Sequence, residues 1–118
     1  MIRSKLERKL ELLLKEILPY YDIYNEYYVK VNGQQLFFDF YIPDLKLSIE
    51  VQGKQHYSFC KFFHNTFSNY TKQRARHRTK VAWCEENGIE LLVIPYNKVS
   101  KLTKAKLKSY IVRGSVYD

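Results

Sequence analysis

The chain has 118 residues, the size of one domain with no room for a second core. Hydrophobic residues make up 46% and aromatics 16%, which excludes a disordered chain. The formal net charge of +8 puts excess Lys and Arg on the surface, where they attract polyanions; this points to a partner class and specifies no chemistry.

Cys60 and Cys84 are the two thiols, which excludes a disulfide scaffold. Met1 to Leu18 is too charged for the apolar region of a signal peptide, and no stretch approaches a membrane span. A reducing intracellular compartment is the expectation.

In chain order, Leu6, Leu10, Leu13, Leu14 and Ile17 recur at helical spacing, and Pro19 closes the run. Ser4-Lys5-Leu6-Glu7 has the form of a capping box, so Glu7 has a ready reading as a capping residue. A strand is predicted near Ile23 to Val31, ending at the hairpin signal Asn32-Gly33. A second spans Leu36 to Ile42, Pro43-Asp44-Leu45 turns the chain, and Leu47 to Gln52 completes an antiparallel meander.

Tyr57 to Tyr70 is aromatic and shows no clear period. Thr71 to Asn87 reads as a basic helix with Gly88 at its C′ position, and Ile89 to Ile94 as a strand buried on both faces. The Lys-rich stretch near 98–112 is predicted to carry a C-terminal helix from Ser100 to Val112. The order α-β-β-β-α-β-α implies a single α/β domain, a mixed α+β sheet with helices on both sides.

Asp39 interrupts the apolar and aromatic strand Leu36 to Ile42, and Glu50 does the same in Leu47 to Gln52. Carboxylates are rare in strand interiors and costly to bury alone. With the turn centred on Asp44-Leu45, Asp39 falls opposite Glu50, and Gln52 shares their face while Ile49 and Val51 point to the core. Opposed carboxylates repel unless a proton or a cation separates them, and Mg²⁺ suits an all-oxygen pair. A buried Arg or Lys partner is the competing reading.

Asp39 followed by Glu50-Val51-Gln52 resembles the D-Xn-(D/E)xK motif of the PD-(D/E)xK nuclease superfamily. Gln52 stands at the Lys position, as it does in some restriction enzymes of that superfamily. The series Ser4-x-x-Glu7, Phe38-Asp39-Phe40, Ile49 to Tyr57 and Asn87-Gly88-Ile89 to Ile94 is similar to the very-short-patch-repair-like (Vsr-like) endonucleases, which include phage homing endonucleases. This resemblance implies a restriction-endonuclease-like fold. It also implies a catalytic group of Glu7, Asp39, Glu50, Gln52 and His56, with Mg²⁺ held by Asp39, Glu50, Glu7 and the backbone carbonyl of Val51. Mn²⁺ is expected to substitute. Family members often carry an Asp three residues before a helical Lys; here His77 precedes Lys80 at that spacing.

The remaining signals concern partners. His56, Cys60 and His64 recur at intervals of four, with His77 and Cys84 further along, but no C-x-x-C pair exists and a structural Zn²⁺ is not expected. Arg74, Arg76, Arg78 and Lys80 form the densest positive run and, with Lys54, are the candidate contacts to DNA phosphates; a solvated helix face is the plain alternative. The expectation is a Mg²⁺-dependent endonuclease acting on duplex or branched DNA, as a monomer or a homodimer, with no membrane partner. Two rivals remain: a DNA-binding or assembly protein that kept the fold and lost catalysis, and an RNA-binding domain with stacking aromatics.

Overall fold

The computed structural model describes residues 4–53 and 67–113, the side chains of 67–70 excepted. Lys54, His56, Cys60 and His64 lie outside the described residues. The predicted order of elements is observed, with one short helical turn added.

Helix α1 (Lys5–Ile17) starts where the sequence places its cap. Ser4 Oγ accepts the backbone N–H of Glu7 at 3.1 Å, which satisfies one of the free amides of the first turn. Strands β1 (Tyr24–Val31) and β2 (Gln34–Ile42) form a hairpin. Asn32 (φ 49°) and Gly33 (φ 80°) are both left-handed at its tip, the tight turn whose twist matches two right-twisted strands. A turn of 3-10 helix (Pro43–Leu45), closed by left-handed Lys46, leads into β3 (Leu47–Gln52).

Helix α2 (Phe67–Glu86) precedes β4 (Glu90–Pro95), which runs parallel to β3 in a sheet of order β1-β2-β3-β4. The α2 helix begins four residues before the predicted Thr71, inside the segment whose aromatics hide any period. Its end is a complete C-terminal cap: Ile89 N–H donates to Cys84 O (2.9 Å), Gly88 N–H donates to Glu85 O (3.4 Å), and Gly88 is left-handed (φ 67°).

The predicted C-terminal helix, Ser100 to Val112, is observed with a later start. A single turn, α3 (Tyr96–Val99), follows β4, and α4 (Lys104–Arg113) begins later than Ser100 because Thr103 caps it. Thr103 Oγ1 accepts the N–H of Lys106 at 3.2 Å. Val99, which ends α3, and Leu102, just before α4, are buried and anchor the bend.

The sheet has a core on each face. Leu10 and Leu14 of α1 pack with Phe40, Ile42, Leu47, Ile49, Leu92, Ile94 and Leu107 on one side. Leu36, Phe38 and Cys84 of α2 pack on the other, with Trp83 and Leu91 beside them. β3 and β4 keep the alternation a pleated strand requires: Leu47, Ile49 and Val51, and Leu92 and Ile94, join the α1 core, with Leu91 on the α2 side. β2 does not: Phe38 belongs to the α2 core and Phe40 to the α1 core, so its alternation slips at Asp39. No described helix is long and apolar enough to cross a membrane.

Candidate functional site

The slip at Asp39 has a counterpart on β1. The β1–β2 register runs from Tyr24↔Tyr41 to Val31↔Gln34 and skips Glu26, the residue facing Asp39. Glu26 adopts a left-handed backbone (φ 49°), uncommon for a residue with a side chain. On the other side of β2, the ladder to β3 consists of Phe40↔Ile49, Tyr41↔Ser48 and Ile42↔Leu47. One step further on this register Asp39 faces Glu50, but there the backbone pairing stops. The sheet opens between β2 and β3 while β3 stays paired to β4 through Gln52.

The opening frees the amide of Val51 from the β2 ladder, and the Asp39 side chain takes its place. Asp39 Oδ2 accepts the N–H of Val51 at 2.8 Å. Burial, and then the charge of Glu50, push the Asp39 carboxyl from 3.8 up to about 6, against the pull of the Val51 N–H and of Lys80. Glu26 adds to the upward push.

Glu50 has an ion partner. Lys80 Nζ of α2 donates to Glu50 Oε1 at 2.5 Å, with side chains only 19% and 11% exposed. The same ammonium lies 5.3 Å from the centre of the Phe38 ring. Burial raises the Glu50 carboxyl, Lys80 pulls it back, and the negative charge of Glu7 raises it further. Glu7 therefore does two things: its amide completes the α1 cap, and its carboxylate acts on Glu50 from across the site.

The α2 helix supplies the roof. Gln73, His77, Lys80 and Cys84 recur along one stripe of it, partly buried except for fully buried Cys84. Arg74, Arg76 and Arg78 are exposed. The stripe changes from apolar at Cys84 to polar at Lys80 where β3 presents Glu50. Burial pushes the Cys84 thiol up to about 11, which suits a packed side chain. Burial, then Lys80 and Arg74, hold His77 below the usual imidazole range. Glu50, Gln73, Arg76, His77 and Lys80 line a cleft of about 230 Å³, closed on its far side by Gln35, Leu36 and Phe37 of β2.

The structure thus brings Asp39, Glu50 and Lys80 to one place, with Glu7 near enough for its charge to act on Glu50, and sets Gln52 and His77 beside them. Val51 meets Asp39 through its N–H. Lys80 differs from its sequence reading: it was grouped with the exposed arginines, and its ammonium instead turns inward onto Glu50. The signal was available, because Lys80 lies one turn from Trp83 and Cys84, the apolar face of α2. Glu26 gave no signal, since only its backbone and its place opposite Asp39 mark it.

Among the described residues no three His, Cys, Asp or Glu side chains converge as a ready-made ligand set. Asp39 and Glu50 offer a pair. That donor set fits Mg²⁺, which keeps several waters and is commonly held by one or two carboxylates together with substrate phosphate. After burial, the charge of Glu50 lifts the Asp39 carboxyl, and that repulsion is what a divalent cation would relieve.

No family model matches the chain. It is similar to uncharacterized protein 033L of Invertebrate iridescent virus 3 and uncharacterized protein 307L of Invertebrate iridescent virus 6, each 38% identical over 66 residues. It is also 40% identical over 66 residues to uncharacterized protein 094L of Frog virus 3 (isolate Goorha). These matches cover 56%, 55% and 55% of the chain and 34%, 34% and 43% of the respective viral proteins. The chain therefore spans well under half the length of the curated relatives it matches.

Proposed function

We propose that this chain is a metal-dependent endonuclease that hydrolyses phosphodiester bonds in DNA. The observation that carries it is the meeting of two carboxylates, partly buried Asp39 and buried Glu50, with Lys80 at the opening of the sheet. A binding surface needs no such group, because buried carboxylates cost stability unless they serve something. The resemblance to Vsr-like nucleases in Glu7, Asp39 and the Glu50 to Gln52 strand points the same way.

Asp39 and Glu50 would hold Mg²⁺, with Glu7 in support. When bound, the ion supplies a water of lowered pKa and charge neutralisation at the scissile phosphate. The chain's own groups do the rest. The Val51 N–H fixes the Asp39 carboxylate in one orientation. Lys80 brings an ammonium to the carboxylate pair from the helix side, where Gln52 can offer only a neutral amide. Its hydrogen bonds would orient the attacking water or a phosphate oxygen. Arg76 lines the same cleft and would hold the backbone of the strand being cut. His56, by resemblance, adds a general base or a donor to phosphate.

One observation favours a second reading. The Lys80–Glu50 ion pair already neutralises one carboxylate, as it would in an inactive DNA-binding relative. Nicking of supercoiled plasmid in Mg²⁺ or Mn²⁺, absent in chelator and absent in Glu50→Gln, is the result expected of an enzyme. Plasmid bound but never cut, with either ion, would leave the binder.

A further inference from the structure

Gln52 and His77, the two residues that stand where the nucleases this sequence resembles carry Lys and Asp, lie together. Gln52 is the last residue of β3 and shares the Glu50 face of the sheet; His77 is on the inward stripe of α2. With Arg74 and Arg78 they line a separate depression of about 140 Å³. His77 also lines the larger cleft and so forms the wall between the two.

The charge is divided between these spaces. The larger cleft contains Glu50 beside Lys80 and Arg76. Among the described residues, the smaller contains two guanidinium groups, an imidazole and an amide, and no carboxylate. Arg74 and Arg78 are one helical turn apart, so they flank His77 on the same side of α2. Guanidinium forks match the oxygens of a phosphate, and an amide N–H and a ring N–H add neutral donors. The volume of about 140 Å³ is enough for one phosphate group. Gln52 is two residues from Glu50, about 6.6 Å along an ordinary strand, a separation on the scale of one nucleotide step.

We propose that the depression between Gln52, Arg74, His77 and Arg78 is a phosphate-binding site next to the carboxylate cleft. It rests on the nucleic-acid reading above and divides the basic run of α2 into two parts. Arg76 and Lys80 serve the cleft, whereas Arg74 and Arg78 grip a second phosphate. Two sources share this chemistry: the neighbouring diester of the same strand, and a terminal 5′-phosphate at a nick or end.

The test uses the whole chain, isotope-labelled, with inorganic phosphate as the first probe. Saturable NMR shifts of the His77 ring and the Gln52 side-chain amide are expected, lost in Arg78→Gln and retained in Lys15→Gln, an exposed charge on α1. Arg78 is exposed, so its replacement leaves the fold intact. The second probe is nicked duplex bearing a 5′-phosphate or a 5′-hydroxyl. Equal affinity for the two, weakened at least about tenfold in Arg78→Gln, assigns the site to an internal diester. A preference of about tenfold or more for the phosphorylated nick, abolished in Arg78→Gln, assigns it to a terminus. No saturable shift, or the same loss of affinity in Lys15→Gln as in Arg78→Gln, overturns the proposal. Phosphate bound without cleavage of any DNA upholds this site and removes the enzyme; cleavage with no phosphate-induced shift does the reverse.

Discussion

Asp39→Asn should stabilise the metal-free protein at neutral pH, although it removes the residue on which the proposed activity would most depend. The Asp39 carboxyl titrates at about 6 in the fold against 3.8 as its ordinary value. Below about pH 4 both states are protonated and the group is neutral to stability. Between pH 4 and 6 the unfolded chain ionises while the fold holds its proton, so stability falls as pH rises. Above about pH 6 the full penalty is present. A gap of roughly two pKa units corresponds to about 3 kcal/mol. Asn keeps an oxygen for the Val51 N–H and removes the charge, so it should recover up to that amount, less the cost of placing its amide NH₂. For a chain of this length that is a rise in Tm of about 10 °C. Thermal unfolding by circular dichroism, in chelator, at about pH 4 and about pH 7.5 gives the comparison. The variant should match wild type at the lower pH and exceed it at the higher. Mg²⁺ should then stabilise wild type alone, by about 2.7 kcal/mol at a hundredfold excess over Kd. A variant less stable than wild type at pH 7.5 without metal, or equally shifted at both pH values, would refute a strained carboxylate pair.

Three further outcomes follow from the same geometry. Lys80→Met leaves Glu50 buried without its cation and should cost about 3–5 kcal/mol by urea unfolding, with most of the loss restored in the Glu50→Gln/Lys80→Met double variant; an unrestored double variant would mean that the ion pair is not the cause. Arg76→Gln should weaken binding to all DNA sequences alike and lower the salt slope by about one unit, and an unchanged slope would assign Arg76 to solvent. Gly88→Ala forces a side chain into a left-handed cap and should cost about 1 kcal/mol of stability, whereas no loss would mean that the cap relaxes without strain.

Much of this was legible in the sequence for physical reasons. The register followed from a turn centred on Asp44-Leu45, because one face of β3 is apolar and a one-residue slip would have buried Glu50 among leucines. Ser4, Asn32-Gly33 and Gly88 each announced a local conformation that few other residues favour. The slip of β2 at Asp39 was not legible. Phe38 and Phe40 have the same parity and the same chemistry, and only the tertiary arrangement sends one to each core. The inward turn of Lys80 was hidden for a related reason: four cations in seven residues read as one solvated face until the helix is docked. Thr103 escaped notice as a cap because the Lys-rich stretch before it carries no apolar period.

Single-turnover assays on labelled duplex, nicked and branched DNA, with wild type and Asp39→Asn purified in parallel, test the enzyme most directly. The expected result is Mg²⁺- or Mn²⁺-dependent cleavage by wild type, leaving 5′-phosphate and 3′-hydroxyl ends. Asp39→Asn should bind the same DNA without metal at least as tightly, since a negative charge near the phosphate has gone, and cut none of it. Wild type that binds these substrates and cuts none of them in either ion, or Asp39→Asn that cuts as fast as wild type, would contradict it.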